Sequence, residues 1–356
     1  MKIIYSKTGC DLPFKSPPRT RAMKAYSGDY YGAFSLEKFA AANSLSLTHE
    51  DAQGWLAYLA NFHPSNFWYK DANVQPWAYY EDYDNWQDTY GMDAVLSVYH
   101  SGHGGMSSSG VFWAPLGANW GGLGTSVYSD KMRLGNEQVN YIFWSTCLSL
   151  RVLDGQSPIR TWSPANLGFR MLFGYETTSV DDANYGKYFW QEWCKGKSFS
   201  TAFLDASWRI SHGQAPSVVA CGATRDEARN RLFNERFFEW GHVSSAWWWW
   251  RWYYAAREVR ALNKNLPSKP EVAELEPARL DEKDVADVVN RFGLEIKLPA
   301  TVQATPDGIF YILGRKQRLS FVGDGSFEIR LAEPNLENLT AIEAHKAIEA
   351  ANLIYS

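Results

Sequence analysis

Two short segments carry residue types that could do chemistry. The first reads Tyr99-His100-Ser101-Gly102-His103-Gly104-Gly105-Met106, and the second Tyr141-Ile142-Phe143-Trp144-Ser145-Thr146-Cys147-Leu148-Ser149. Each begins in an apolar, strand-like run (94–99 and 141–145) and ends in small and polar residues. An imidazole after one strand and a sulfur after another are the parts of a thiol–imidazole pair. Cysteine attacks as the thiolate, and a nearby imidazole can generate or stabilise that anion. The glycines beside His103 let a substrate carbonyl approach the main chain, so that amide N–H groups can act as an oxyanion hole.

These segments resemble the motifs of the caspase-like cysteine peptidases, the superfamily of caspases, metacaspases, gingipains, legumains and separases. In that pattern one hydrophobic strand ends in His-Gly and a second ends in a small residue and Cys. Tyr99-His100-Ser101-Gly102-His103-Gly104 is similar to the metacaspase version, which commonly reads Tyr-Ser-Gly-His-Gly. The resemblance covers about residues 90–225. It implies a three-layer α/β/α sandwich with a mostly parallel sheet and a cysteine endopeptidase acting on protein or peptide substrates through an acyl-enzyme, with no cofactor. His103 would be the general acid/base and Cys147 the nucleophile, and the backbone N–H groups of Gly104 and Cys147 would bind the oxyanion. Two positions depart from the pattern. Thr146 stands where the family usually has Ala, Ser, Gly or Cys. Ser145 stands where metacaspases have an Asp and caspases a Gln, so neither specificity transfers. Asp181 and Asp182 follow a third apolar run and, with Ser145, are candidates for substrate binding, the acids for a basic side chain. The alternatives are an inactive scaffold on the same fold, or an aromatic-rich binding protein.

Other polar and aromatic features read as structure. His100 and His103 lack a third ligand, so no metal site is expected. Cys221 in Val218-Val219-Ala220-Cys221-Gly222 reads as core, and Cys194 as a core thiol beside Trp190 and Trp193. The acidic-aromatic stretch 79–88 does not fit a calcium loop, which needs Gly at its sixth and Glu at its twelfth position. The run Trp247-Trp248-Trp249-Trp250-Arg251-Trp252-Tyr253-Tyr254 would point rings all round a helix. That favours burial between layers or self-association through 247–254.

The elements that must position His103 and Cys147 follow from apolar periodicity. Near-continuous apolar runs at 94–99, 141–145, 167–175 and 217–221, separated by helical patterns at about 185–195 and after Ser198, suggest a parallel sheet covered on both faces. Sites in such sheets lie beyond the carboxyl ends of the strands. Ala52, Trp55, Leu56 and Leu59 form a helical stripe behind Thr48 and Asp51, which read as a capping box. Residues 1–6 read as an opening strand. All 17 tryptophans fall between Trp55 and Trp252, so composition divides the chain. Residues 1–262 read as the peptidase-like domain, 263–280 as a proline-containing linker and 281–356 as a small α+β domain. In the last, a helix at 285–292, strands at 309–313, 319–322 and 327–331, and a final helix at 339–351 are expected.

With 46% apolar and 21% charged residues the chain is globular rather than disordered. A net charge of −4 argues against a nucleic-acid binder. No apolar run is long enough for a membrane helix. The amino-terminal apolar run is too short for a signal-peptide core, so a cytoplasmic location is expected. Four scattered cysteines, with no Cys-x-x-Cys, lead to an expectation of reduced thiols.

Overall fold

Residues 12–15, 29–81, 86–153, 156–253 and 255, and the backbone of four strands between 302 and 331, are described by a computed structural model. The elements run β1 (Tyr31–Ser35), α1 (Thr48–Leu59), β2 (Phe67–Lys70), α2 (Trp86–Tyr90), β3 (Ser97–Ser101), β4 (Gly105–Met106), β5 (Phe112–Pro115), β6 (Ser126–Tyr128), β7 (Tyr141–Ser145), α3 (Pro158–Trp162) and β8 (Met171–Tyr175). Then follow α4 (Tyr185–Trp193), α5 (Phe199–Ile210), β9 (Pro216–Gly222), α6 (Arg225–Asn234), β10 (Trp247–Trp252), β11 (Val302–Thr305), β12 (Gly308–Ile312), β13 (Gln317–Val322) and β14 (Ser326–Leu331).

The main sheet has the order β2-β1-β3-β7-β8-β9-β10, continued by β14-β13-β12-β11. From β2 to β8 every junction is parallel. Along β7 the side chains alternate between two cores. Tyr141 and Phe143 join the aromatic cluster under α1, α4 and α5, whereas Ile142 and Trp144 join the cluster on the opposite face. The class is therefore α/β, and the first seven strands in that order, from β2 to β10, form a mostly parallel sheet, as the apolar runs predict. The two faces are covered differently. One carries α1, α4, α5 and α6. The other is packed by the small antiparallel sheet β4-β5-β6, short helix α3 and 3-10 turns. Among the described residues, the long helices lie on one face of the sheet.

From β9 onward the sheet is antiparallel. Residues 217–221 were expected to join a parallel sheet. Two helices joined by a short turn, α4 and α5, separate β8 from β9. An even number of reversals returns the chain to the end from which β8 left, so β9 must run against it. The tryptophan run is a strand, not a helix. Trp248, Trp250 and Trp252 face one core and Trp249 the other, and all four are buried within the chain. Strands β12, β13 and β14 lie close to where the sequence places them, and β13 pairs antiparallel with β14 from Gln317↔Leu331 to Val322↔Ser326. The expected strand at 1–6, the linker 263–280 and the helices at 285–292 and 339–351 lie outside the described residues.

Among the described residues, no helix is long and apolar enough to cross a membrane. The expectation of reduced thiols fails at Cys194. It caps the end of α4, half-buried, and is disulfide-bonded to a partner outside the described residues. Cysteine spacing says nothing about which distant chain segment comes to rest beside a helix end.

Candidate active site

The register of β3 and β7 places the site. Ser97 pairs with Tyr141 and Ser101 with Ser145, an offset of 141 minus 97, or 44. His103 and Cys147 differ by the same 44, so they occupy the same step beyond two neighbouring parallel strands. Pairing continues past β3, where the Gly102 N–H donates to the Ser145 carbonyl at 3.3 Å. Adjacent strands lie about 4.8 Å apart, and both side chains line one cleft. Both are partly exposed.

His103 is fixed by contact with a loop that precedes α1. Its Nε2 lies 2.9 Å from the Asn43 carbonyl, and Phe39 packs on the ring at 4.8 Å. A carbonyl only accepts, so Nε2 carries the proton, and in the neutral ring Nδ1 is left as the base. Cys147 is held from the other side. The Ser179 N–H donates to Sγ at 3.3 Å, with the Ser179 carbonyl at 3.7 Å. The residue after the thiol, Leu148, has φ +59°, a left-handed conformation that a branched side chain rarely adopts. It is locked by hydrogen bonds. Leu148 N–H donates to the Thr177 carbonyl, Ser149 Oγ donates to the Thr146 carbonyl, and Trp162 Nε1 donates to the Ser149 carbonyl. Buried Glu176 accepts from the amides of Val152 and Leu153 and pairs with Arg151. The elbow therefore presents sulfur at the cleft instead of continuing the strand.

Gly104 lies on this elbow. A Cβ there would come within 2.5 Å of the Cys147 carbonyl and 2.9 Å of Thr146 Cβ. Only a glycine lets the two loops touch. The amides of Gly104 and Cys147 donate to no acceptor among the described residues.

The floor of the cleft is Asp51, which sequence reasoning misread. It does not cap α1. The helix has Leu47 at its N-cap with no side-chain cap, and Thr48 is its first residue. Asp51 instead turns inward. Oδ1 accepts from Tyr99 Oη and from the Gly186 N–H, both at 2.8 Å, and Oδ2 accepts from Ser101 Oγ at 2.7 Å. Burial pushes its carboxyl up to about 6, against the opposing hydrogen bonds from Ser101, Gly186, Tyr99 and Ser145. Ser145, Asp181 and Asp182 also line the cleft. Asp181 Oδ2 accepts from the backbone and hydroxyl of Ser46, and Asp182 Oδ1 from the backbone and side-chain amides of Asn184. The charged side chains lining the cleft apart from the His103–Cys147 pair are thus acids: Asp51, Asp181 and Asp182.

The rivals fall elsewhere. His100 points to the opposite face, where Tyr79 Oη meets its Nδ1 at 2.8 Å, and burial holds the imidazole down at about 3. It cannot share a metal with His103, and no group of three or more metal-binding side chains occurs among the described residues. Cys221 is sealed in the core, where burial pushes its thiol well above the usual range. Asn43, Ser101 and Ser179 carry no motif of their own, and the one around Asp51 points to a helix cap instead. Ser101 alone had a signal, two residues before His103 as Ser145 is before Cys147.

Fold and site together define an α/β protein with a thiol and an imidazole at the carboxyl edge of its parallel strands. The chain belongs to the family described as a domain of unknown function (DUF6345), whose model matches residues 31–253. That span begins at β1, ends just after β10 and contains the whole cleft. Comparison with curated proteins returns no match.

Proposed function

We propose that this cleft hydrolyses peptide bonds by nucleophilic attack of Cys147, as a caspase-like cysteine endopeptidase. The observation that carries the reading is the shared step of His103 and Cys147 beyond in-register parallel strands, with both opening on one cleft. In this reaction His103 Nδ1 takes the thiol proton and sulfur attacks the peptide carbonyl. The oxyanion is held by the amides of Gly104 and Cys147. The imidazolium then protonates the leaving amine, and the neutral ring activates water to release the acid from the thioester. No step calls for a metal or organic cofactor. The acids around the cleft support a substrate that presents a basic side chain.

The test pairs a thiol-directed activity probe with a peptide library. Labelling confined to Cys147, cleavage of at least one peptide, and loss of both in Cys147→Ala with an unchanged thermal midpoint are expected. A folded protein that cuts nothing and whose Cys147 resists the probe would instead be a non-catalytic binding protein on this fold.

A further inference from the structure

Beside the cleft, Ser35, His49 and Asp71 form a chain with the order of a nucleophilic triad. Ser35 Oγ lies 2.8 Å from His49 Nδ1, and His49 Nε2 lies 3.3 Å from Asp71 Oδ2. Ser35 is no second nucleophile. It is fully buried, and Trp68 Nε1 donates to its Oγ at 2.9 Å. The connections of the cluster show another use. Asp71 Oδ1 accepts from the amides of Glu37 and Lys38, both at 2.9 Å. The Leu45 N–H donates to the Glu37 carbonyl at 2.9 Å and closes the loop over itself. Inside that loop is Asn43, whose carbonyl receives His103 Nε2. His49 stands in the first turn of α1, at the loop's far end.

Asp71 holds this position against its own backbone preference. Its φ is +48°, and its carbonyl lies so close to Gly117 that a Cβ there would sit 1.9 Å away. Such strain persists only where the surroundings impose it, and it gathers at sites that need one conformation.

We propose that Asp71 and His49 are positioning residues that clamp the 36–47 loop at both ends, so that the Asn43 carbonyl holds His103 in its Nε2–H tautomer beside Cys147. The inference rests on the His103–Cys147 reading above and adds the device that orients the base. A loop tied at one end only would let the Asn43 carbonyl wander, and the imidazole would lose both its tautomer preference and its direction.

The pH profile of Cys147 alkylation by iodoacetamide tests this on the full chain without any substrate. Cys221 is buried and does not compete. Wild type and His103→Ala set the limits, and a gap of about tenfold near pH 6 is expected between them. Asp71→Ala should move the profile at least half-way, on a logarithmic scale, toward His103→Ala. Asp71→Asn keeps an amide oxygen for the Glu37 and Lys38 N–H groups and should restore most of the wild-type profile. A folded Asp71→Ala protein that coincides with wild type overturns the proposal. If that variant does not fold, His49→Gln, which leaves the Asp71 contacts to Glu37 and Lys38 in place, carries the same expectation at smaller size and the same overturning result. Coincidence of wild type with His103→Ala means that the dyad reading has failed, and the clamp falls with it. That failure shows in the control, not at position 71.

Discussion

At the scale of single residues, Asp51 ties stability to pH. Burial raises its carboxyl to about 6 and raises that of Asp93, held by four loop amides, to about 7. An unfolded Asp titrates near 4. Between these values the folded chain keeps protons that the unfolded chain has released, so these two groups make stability fall as pH rises from about 4 to about 7. Their contribution is fully present below the unfolded value and is lost through the folded one. Asp51→Asn removes its own share, on the order of 3 kcal/mol, because an amide oxygen can still accept from Tyr99 and Gly186. Thermal midpoints from pH 4 to 7 should therefore fall less steeply in the variant. Parallel curves for the two proteins would show that Asp51 is not the buried acid described. If the cleft takes a basic side chain, the same variant should also lose about 10- to 100-fold in kcat/KM on Arg and Lys peptides, the worth of one charged hydrogen bond. It should change little on neutral ones, and equal losses on both would remove the charge argument.

At the scale of elements, the fit between two loops decides the geometry. The β3–β4 and β7–α3 connections touch at Gly104, where even a methyl group meets backbone at 2.5 Å. Gly104→Ala should therefore cost about 1–3 kcal/mol, typical of overpacking, and displace His103 from Cys147. Hydrolysis and probe labelling should drop together while far-UV circular dichroism stays native. Full labelling in a folded Gly104→Ala protein would mean that the contact does not set the dyad. The helices contribute in a simpler way. Ser198 caps α5 by accepting from the Thr201 N–H, and Ala52, Trp55 and Leu59 bury one stripe of α1. That burial fixes the turn from which Asp51 projects.

For the whole molecule, the four cysteines have three different fates. Cys147 opens on the cleft, Cys221 is buried and Cys194 is bridged. A thiol titration without reductant should find one reactive group in the native protein and two in denaturant, with the remaining two appearing only after reduction. Two reactive thiols in the native state would contradict the burial of Cys221, and four in denaturant alone would exclude the bridge. The tryptophan strand shows the same dependence on the whole fold. Its rings alternate between two cores because successive side chains of a strand point to opposite faces, and it is an inner strand because β9 and β14 pair with its two edges.

What the residues alone determined is local or in phase. The β7 run was legible because apolar residues without interruption form a strand buried on both faces. The α1 stripe was legible because its period is that of a helix. The candidate pair was legible because each member follows its own strand by two residues. Tertiary structure decided everything that depends on which distant segments meet. Asp51 looks like a cap in its own sequence neighbourhood, and only the approach of Tyr99, Ser101 and Gly186, the last 135 positions away, turns it into the floor of a cleft. The Asn43 carbonyl that orients His103 is a backbone group, identical in every residue and so invisible in any motif. The direction of β9, the disulfide at Cys194 and the strand character of the tryptophan run depend on packing between segments far apart. Periodicity reports a residue's neighbours along the chain, and those features are set by its neighbours in space.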